Sequence, residues 1–202
     1  LLLLYDAEVD FKEEGHIYSV GGIEVPSTTT ILKDSGFIKN LEFFTKEGSD
    51  RGSYVHKLTE QYDNGVMDWG QVGDCLPYID AYLKATEELG LVHKEIELRL
   101  VNKQLWYSGT LDRVSLCRQW KNVPGIIDLK TGQPSKSNYL QLLLYGGLIK
   151  YSEGEGLELP LKMANLYLQK NGKYKFRECD ESKMNKAAAF GSIPCYHFRR
   201  TL

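Results

Sequence analysis

The sequence predicts an α/β fold: a mixed central β-sheet with helices on both faces. Three observations lead there. Apolar residues recur at helical spacing over residues 49–63, 77–89 and 136–151. From residue 93 the period changes to two, over 94–101 and 104–116, and a short apolar run follows at 123–130. Two further alternating runs, 161–169 and 173–178, meet at Asn171-Gly172, a strong hairpin signal. Helices, then a three-strand meander, then a helix and two strands make a sheet that needs cover on both sides.

Taken in order, Leu1–Leu4 is too short for a signal segment or a membrane span and reads as an ordered N-terminal strand or a truncation scar. Residues 15–25 read as a hairpin around Gly21-Gly22. After Pro26, Ser27 caps a short helix that stops at Gly36, and 41–47 reads as another helical turn or two. Ser49 or Asp50 can cap the 49–63 helix, and Asn64-Gly65 ends it. Val55, Leu58 and Tyr62 form its apolar stripe, and His56 and Glu60 share the face beside it. Pro77 opens the next helix and Gly90 stops it. The 123–130 strand is apolar enough to be buried on both faces. Leu140, Leu143, Leu144 and Leu148 give 136–151 its stripe, and a final helix spans roughly 180–190.

The 202 residues suit one domain, with an N-terminal hairpin and helices over 1–48, a core over 49–151 and a basic C-terminal hairpin and helix over 161–202. At 42% hydrophobic and 26% charged, the composition excludes disorder, collagen and disulfide-knot classes. The net charge of −2 hides a split. Residues 1–160 carry 16 Lys plus Arg against 24 Asp plus Glu, while 161–202 carry 9 against 3. A basic tail on an acidic body hints at an anionic partner. Cys75, Cys117, Cys179 and Cys195 form no CxxC pair and fit no zinc spacing, so reduced thiols are expected.

The chemistry concentrates in Gly109-Thr110-Leu111-Asp112 and Ile127-Asp128-Leu129-Lys130-Thr131. Residues two apart in a strand share a face, so Asp128 and Lys130 project together. Burying a carboxylate and an ammonium at the end of an apolar strand is costly without a partner. Asp112, in the preceding strand, can lie beside Asp128. Two adjacent carboxylates repel each other unless a cation is present, and carboxylate and carbonyl oxygens suit Mg²⁺ or Mn²⁺. Such a site fits phosphodiester hydrolysis, with Lys130 orienting or deprotonating the attacking water or stabilising charge on the phosphate. An isolated DxK tripeptide is more often a structural ion pair.

The surrounding residues change that balance. Gly52-Ser53-Tyr54-Val55-His56, Gly109-Thr110-Leu111-Asp112, Asp128-Leu129-Lys130 and Gln141-Leu142-Leu143-Leu144-Tyr145 occur in that order. Together they resemble the GxxxH, GxxD, DxK and QxxxY motifs of the PD-(D/E)xK nuclease superfamily, in its RecB-like exonuclease branch. His16-Ile17-Tyr18 and Pro26-Ser27-Thr28-Thr29 are similar to phage-encoded members. The resemblance implies a restriction-endonuclease-like fold. Asp112, Asp128, the Leu129 carbonyl and His56 would be metal ligands, and Lys130 would act on the attacking water. Gln141 and Tyr145, four apart and so on one helical face, would line the site and hold Lys130 or the DNA backbone. Relatives often carry a glutamate in the strand before GxxD. Glu95 and Glu97 both qualify, and Glu95 is preferred by its distance from Asp112. Glu60 could orient the His56 imidazole.

The implied function is a metal-dependent DNA exonuclease that uses a metal-activated water, in phage recombination, repair or DNA turnover. The alternatives are a non-catalytic nucleic-acid-binding module on the same fold and a restriction-type endonuclease. The implied cofactor is Mg²⁺ or Mn²⁺, with no iron–sulfur cluster because the cysteines lack the family's cluster arrangement. The implied partners are linear DNA ends or single strands, and a phage single-strand-annealing or recombination protein, in the cytoplasm of a bacterial host and away from membranes. Lys173, Lys175 and Arg177 share one face of an alternating strand and could contact phosphates, with Arg199 and Arg200 adding charge. Tyr174 and Phe176 are expected to pack into the core.

Overall fold

The computed structural model describes residues 9–38, 46–151 and 161–201. Leu1–Leu4 and nearly all of the helix expected over 41–47 lie outside them. A three-stranded antiparallel sheet opens the chain: β1 (Asp10–Lys12), β2 (Ile17–Val20) and β3 (Ile23–Val25). The hairpin turns at Gly21-Gly22 as expected, while β1 is an addition, paired to β2 through Phe11 and Tyr18. Helix α1 (Thr28–Asp34) follows, and the Ser27 hydroxyl accepts the Thr30 amide as its N-cap.

Helix α2 (Lys46–Asp63) begins before Ser49, so Ser49 and Asp50 sit inside it and do not cap it. Val55 and Leu58 are buried, but Tyr62 is exposed at the rim against Trp69 and Tyr82, and Thr59 takes the buried place. Helix α3 (Leu76–Leu89) starts with Pro77 in its first turn and ends at Gly90.

The central sheet has the order β4 (Val92–Asn102), β5 (Tyr107–Leu116), β6 (Pro124–Lys130), β7 (Lys162–Leu168), β8 (Tyr174–Glu178). All neighbours are antiparallel except β6 and β7, which run parallel because helix α4 (Lys136–Tyr151) carries the chain back between them. Helix α5 (Lys183–Phe198) closes the chain, capped by the Ser182 side chain. It runs eight residues past the expected end. Gly191 and Pro194 are poor helix formers, but Ala189 and Ile193 are buried against α4, and that packing overrides propensity.

Helices cover both faces, as the sequence predicts. One core packs α1, α4 and α5 on Leu100, Val114, Ile126 and Met163. The other packs α2 and α3 on Ile127, Leu129, Ala164 and Leu166. Strand β6 therefore divides its side chains between two layers, which explains its near-continuous apolar run. Among the described residues no helix is long and apolar enough to cross a membrane.

Gly109 sits where α4 presses close to the sheet. A Cβ there would stand 2.8 Å from Tyr145 Cε1 and 3.1 Å from Leu148 Cδ1. The first residue of GxxD and the last of QxxxY thus interlock. Gly109→Ala should cost about 1–3 kcal/mol of overpacking, lowering Tm by about 2–12 °C. Gly132→Ala, with nothing within 4 Å of the new Cβ, is the control. Equal melting temperatures for the two variants would refute the interlock.

Candidate metal centre

The site forms where β5 leaves β6. Their ladder ends at Arg113–Ile127, while β6 continues beside β7 as far as Lys130–Tyr167. Past that end the Asp112 carboxylate replaces a strand carbonyl: Oδ2 accepts the buried Leu129 N–H at 2.6 Å. Residue faces also change there. Gly109 packs on α4, yet Arg113, four residues on, reaches α2 and α3 on the opposite layer. On β4 the change falls at Glu97, which lies between the pairs Ile96–Arg113 and Leu98–Leu111 and has φ of 51°. A left-handed glutamate inside a strand costs of order 1–3 kcal/mol and persists only when its surroundings hold it.

Helix α2 brings the imidazole. Its close approach needs Gly52, where a Cβ would lie 3.3 Å from Thr131 Oγ1 at the end of the DxK strand. One turn on, His56 Nε2 donates to the Leu129 carbonyl at 3.1 Å, because a carbonyl can only accept. That leaves Nδ1 facing Asp112 Oδ1 at 3.5 Å. Glu97 completes the group: single ligand atoms of His56, Glu97 and Asp112 lie within 4.8 Å of one another.

Electrostatics mark this as a place that wants positive charge. Burial, and then the Asp112 carboxylate, push the Glu97 carboxyl up to about 7. Burial opposes ionisation of Asp112 too, but His56, Lys130 and the Leu129 amide outweigh it and hold the carboxyl down to about 2. Burial also opposes the His56 imidazolium, and Asp112 overturns that, raising its pKa. Lys130 Nζ stands 2.5 Å from Asp128 Oδ2. Desolvation works against the ammonium, but Asp128 and Asp112 raise it, so Lys130 stays protonated. Asp128, buried, is pushed up to about 6 despite that ion pair. Among the described residues, its Oδ2 accepts no hydrogen bond apart from Lys130, and neither amide atom of its β7 neighbour, the fully buried Asn165, has a partner.

The structure brings together His56, Asp112, Leu129, Asp128 and Lys130. It corrects the glutamate: Glu95 pairs with Val114, two residues beyond Asp112, whereas Glu97 falls opposite Asp112 through its left-handed turn. Sequence distance could not show that turn. Asp128 stands beside the three-ligand group and outside it, paired with Lys130. Glu60 is not needed to orient His56, since Asp112 and the Leu129 carbonyl occupy both ring nitrogens.

Gln141 and Tyr145 bond to each other, Nε2 to OH at 2.8 Å, and not to Lys130. Gln141 also reaches Thr29 Oγ1 at 3.4 Å, and Tyr145 meets Thr28, so the Pro26-Ser27-Thr28-Thr29 segment clasps the QxxxY helix. Lys175 and Arg177 are exposed on β8 as expected, while Lys173 lies in the preceding turn. Tyr174 and Phe176 pack against the core beside α3. Arg199 and Arg200 are spent elsewhere, on Asp34 at the end of α1, at 3.0 and 3.1 Å.

Arg113 is the residue that sequence reading missed. It is fully buried, donating to Asp63, Thr59, Glu97 and the Asp112 carbonyl. A charge amid the apolar side chains of β5 was its visible signal.

One imidazole nitrogen and carboxylate oxygens form a donor set that could hold a divalent cation. Cation binding must then expel the Glu97 proton and the second proton of the His56 imidazolium. Mn²⁺ affinity should rise between pH 6 and 8, with proton release detectable by calorimetry in two buffers of different ionisation enthalpy. Without cation the sign is opposite for stability. Folded Glu97 keeps a proton that the unfolded chain releases near 4.5, so stability falls as pH rises from 4.5 to about 7. Glu97→Gln should therefore raise Tm at pH 8, by about 2–6 °C, and abolish the Mn²⁺-induced rise in Tm. Glu95→Gln should do neither; if it does both, the ligand assignment is wrong.

No protein-family model and no curated protein matches this sequence, so the chemistry of the cluster carries the functional assignment.

Proposed function

We propose that the chain is a metal-dependent DNA exonuclease of the PD-(D/E)xK type, with the restriction-endonuclease-like fold that goes with it. One observation supports this most: His56, Glu97 and Asp112 converge beside the Leu129 carbonyl, with the Asp128–Lys130 pair on the flanking residues of the same strand. An ordinary structural ion pair would not need three further ligating groups around it. A divalent cation there supplies Lewis acidity, offsetting phosphate charge and lowering the pKa of water.

The protein groups do the rest. His56, Glu97 and Asp112 would hold the cation, beside Asp128 and the Leu129 carbonyl. Lys130 remains an ammonium, so it orients the attacking water and stabilises negative charge on the phosphate; its charge makes it a poor base. The Gln141–Tyr145 pair walls the site from α4.

The basic edge is aligned with this chemistry. In register across the sheet, Lys130 neighbours Tyr167 and Tyr167 neighbours Lys175; Asp128 neighbours Asn165 and Asn165 neighbours Arg177. Paired positions share a face, so Lys175 and Arg177 stand on the side of Lys130, about 10 Å away at two strand spacings. That suits a phosphate backbone running from the reacting bond to the sheet edge.

Purified protein should degrade linear DNA with Mg²⁺ or Mn²⁺, EDTA should stop it, and Lys130→Ala should lower the rate by at least about 100-fold. Closed circular DNA should survive. Cut circles would make it an endonuclease. Binding without cutting under either metal would make it a non-catalytic module. Full activity in Lys130→Ala would move the site elsewhere.

The double variant Lys175→Ala/Arg177→Ala should weaken DNA binding equally across sequences and reduce the salt slope by about 2. An unchanged slope would take the strand path off β8.

A further inference from the structure

Arg113 links all three elements that supply the cluster. Nε donates to Asp63 Oδ2 at 2.6 Å and Nη2 to Thr59 Oγ1 at 3.2 Å, both on α2, the helix of His56. Nη1 donates to the Asp112 carbonyl on β5 at 2.6 Å and to Glu97 Oε1 on β4 at 3.3 Å. Tyr82 closes the back of the network, donating to Asp63 Oδ2 at 2.6 Å. The guanidinium is fully buried and its fork is rigid. It therefore fixes the separations between the helix and the two strands.

The contact with Glu97 has a chemical consequence. One carboxylate oxygen is turned toward Arg113, which leaves the other to face a cation. Mg²⁺ and Mn²⁺ favour six ligands with carboxylates bound through one oxygen, whereas Ca²⁺ takes six to eight and readily accepts both oxygens of a carboxylate.

We propose that Arg113 is a positioning residue that sets the cation selectivity of the site, holding Glu97 to one-oxygen ligation and so favouring Mg²⁺ or Mn²⁺ over Ca²⁺. This rests on the metal-dependent reading above. Arg113 touches neither the cation nor the phosphate; it acts through Glu97, the Asp112 main chain and α2.

The test is titration calorimetry of the full chain with Mn²⁺, Mg²⁺ and Ca²⁺. Arg113→Lys keeps the charge but loses the fork. It should weaken Mn²⁺ and Mg²⁺ about 10- to 100-fold, the usual range for a partner of a metal ligand, while Ca²⁺ weakens by less than about threefold. Thr59→Val, which keeps the side-chain shape and removes the Nη2 contact and the Thr59 bond to the His56 carbonyl while leaving Nε on Asp63, should shift the Mn²⁺/Ca²⁺ ratio in the same direction by about threefold or more. It decides the matter if circular dichroism shows Arg113→Lys to be unfolded. Equal weakening of all three cations, or an unchanged ratio in the folded variants, overturns the proposal and leaves Arg113 a structural residue. A wild-type chain that binds none of the cations overturns the metal reading instead.

Discussion

The site depends on the hydrogen bond from the Leu129 amide to the Asp112 carboxylate. Strands β5 and β6 must separate for acidic side chains to converge between them, and separation strands the Leu129 amide in a buried place. An unpaired buried N–H costs about as much as a lost hydrogen bond. Asp112 satisfies it with a side chain, so β5 can diverge without that penalty. His56 first, then Lys130, hold Asp112 ionised, with this bond adding to them, and its second oxygen faces His56. The Leu129 carbonyl, on the other end of the same residue, takes the imidazole N–H. One residue of β6 thereby fixes the position of both a carboxylate and a histidine that come from different elements.

Two buried cations balance the acids from opposite sides. Lys130 stands against Asp128 at the open edge, and Arg113 stands against Asp63 and Glu97 at the closed back. Their roles differ because their head groups differ. The ammonium is a compact charge on a flexible stem, suited to moving between Asp128 and a substrate oxygen. The guanidinium fork makes directed bonds to several elements at once and suits a frame. Even with both in place, Glu97 and Asp128 remain hard to ionise, which is the state of a site with room for one more positive charge.

Much of this was legible in the sequence because strand and helix periods are strong signals where both faces are regular. The helix stops at Asn64-Gly65 and Gly90, the order of strands and the hairpin at Asn171-Gly172 all follow from local chemistry. The structure brings His56, Asp112, Asp128 and Lys130 together, three of them from regular stretches of helix or strand and Asp112 from the point where β5 leaves β6. Glu97 did not carry over. Its role depends on a left-handed residue that inverts the strand, and no alternation rule anticipates that inversion. Helix α5 failed for the opposite reason: local propensity was read correctly, and packing of Ile193 overrode it.

The failures therefore differ in meaning. At α5 a weak helix former is tolerated because the core rewards it, and nothing functional follows. At Arg113 the sequence places a charge at a fully buried strand position, and at Glu97, which keeps the alternation of Ile96, Leu98 and Leu100, it is the backbone that departs from the pattern and takes up strain. A break of that kind lowers foldability and persists only with a compensating interaction. Here the compensation is visible on both sides of the break, in the Arg113 fork behind Glu97 and the His56–Asp112 pair in front of it. The acidic body is thus partly a set of carboxylates held together against their own repulsion. Strand β8 lies two strands from Asp128, with Arg177 in register on its face. Averaging the acidic cluster and the basic strand to a charge of −2 conceals how far the two are separated in the structure.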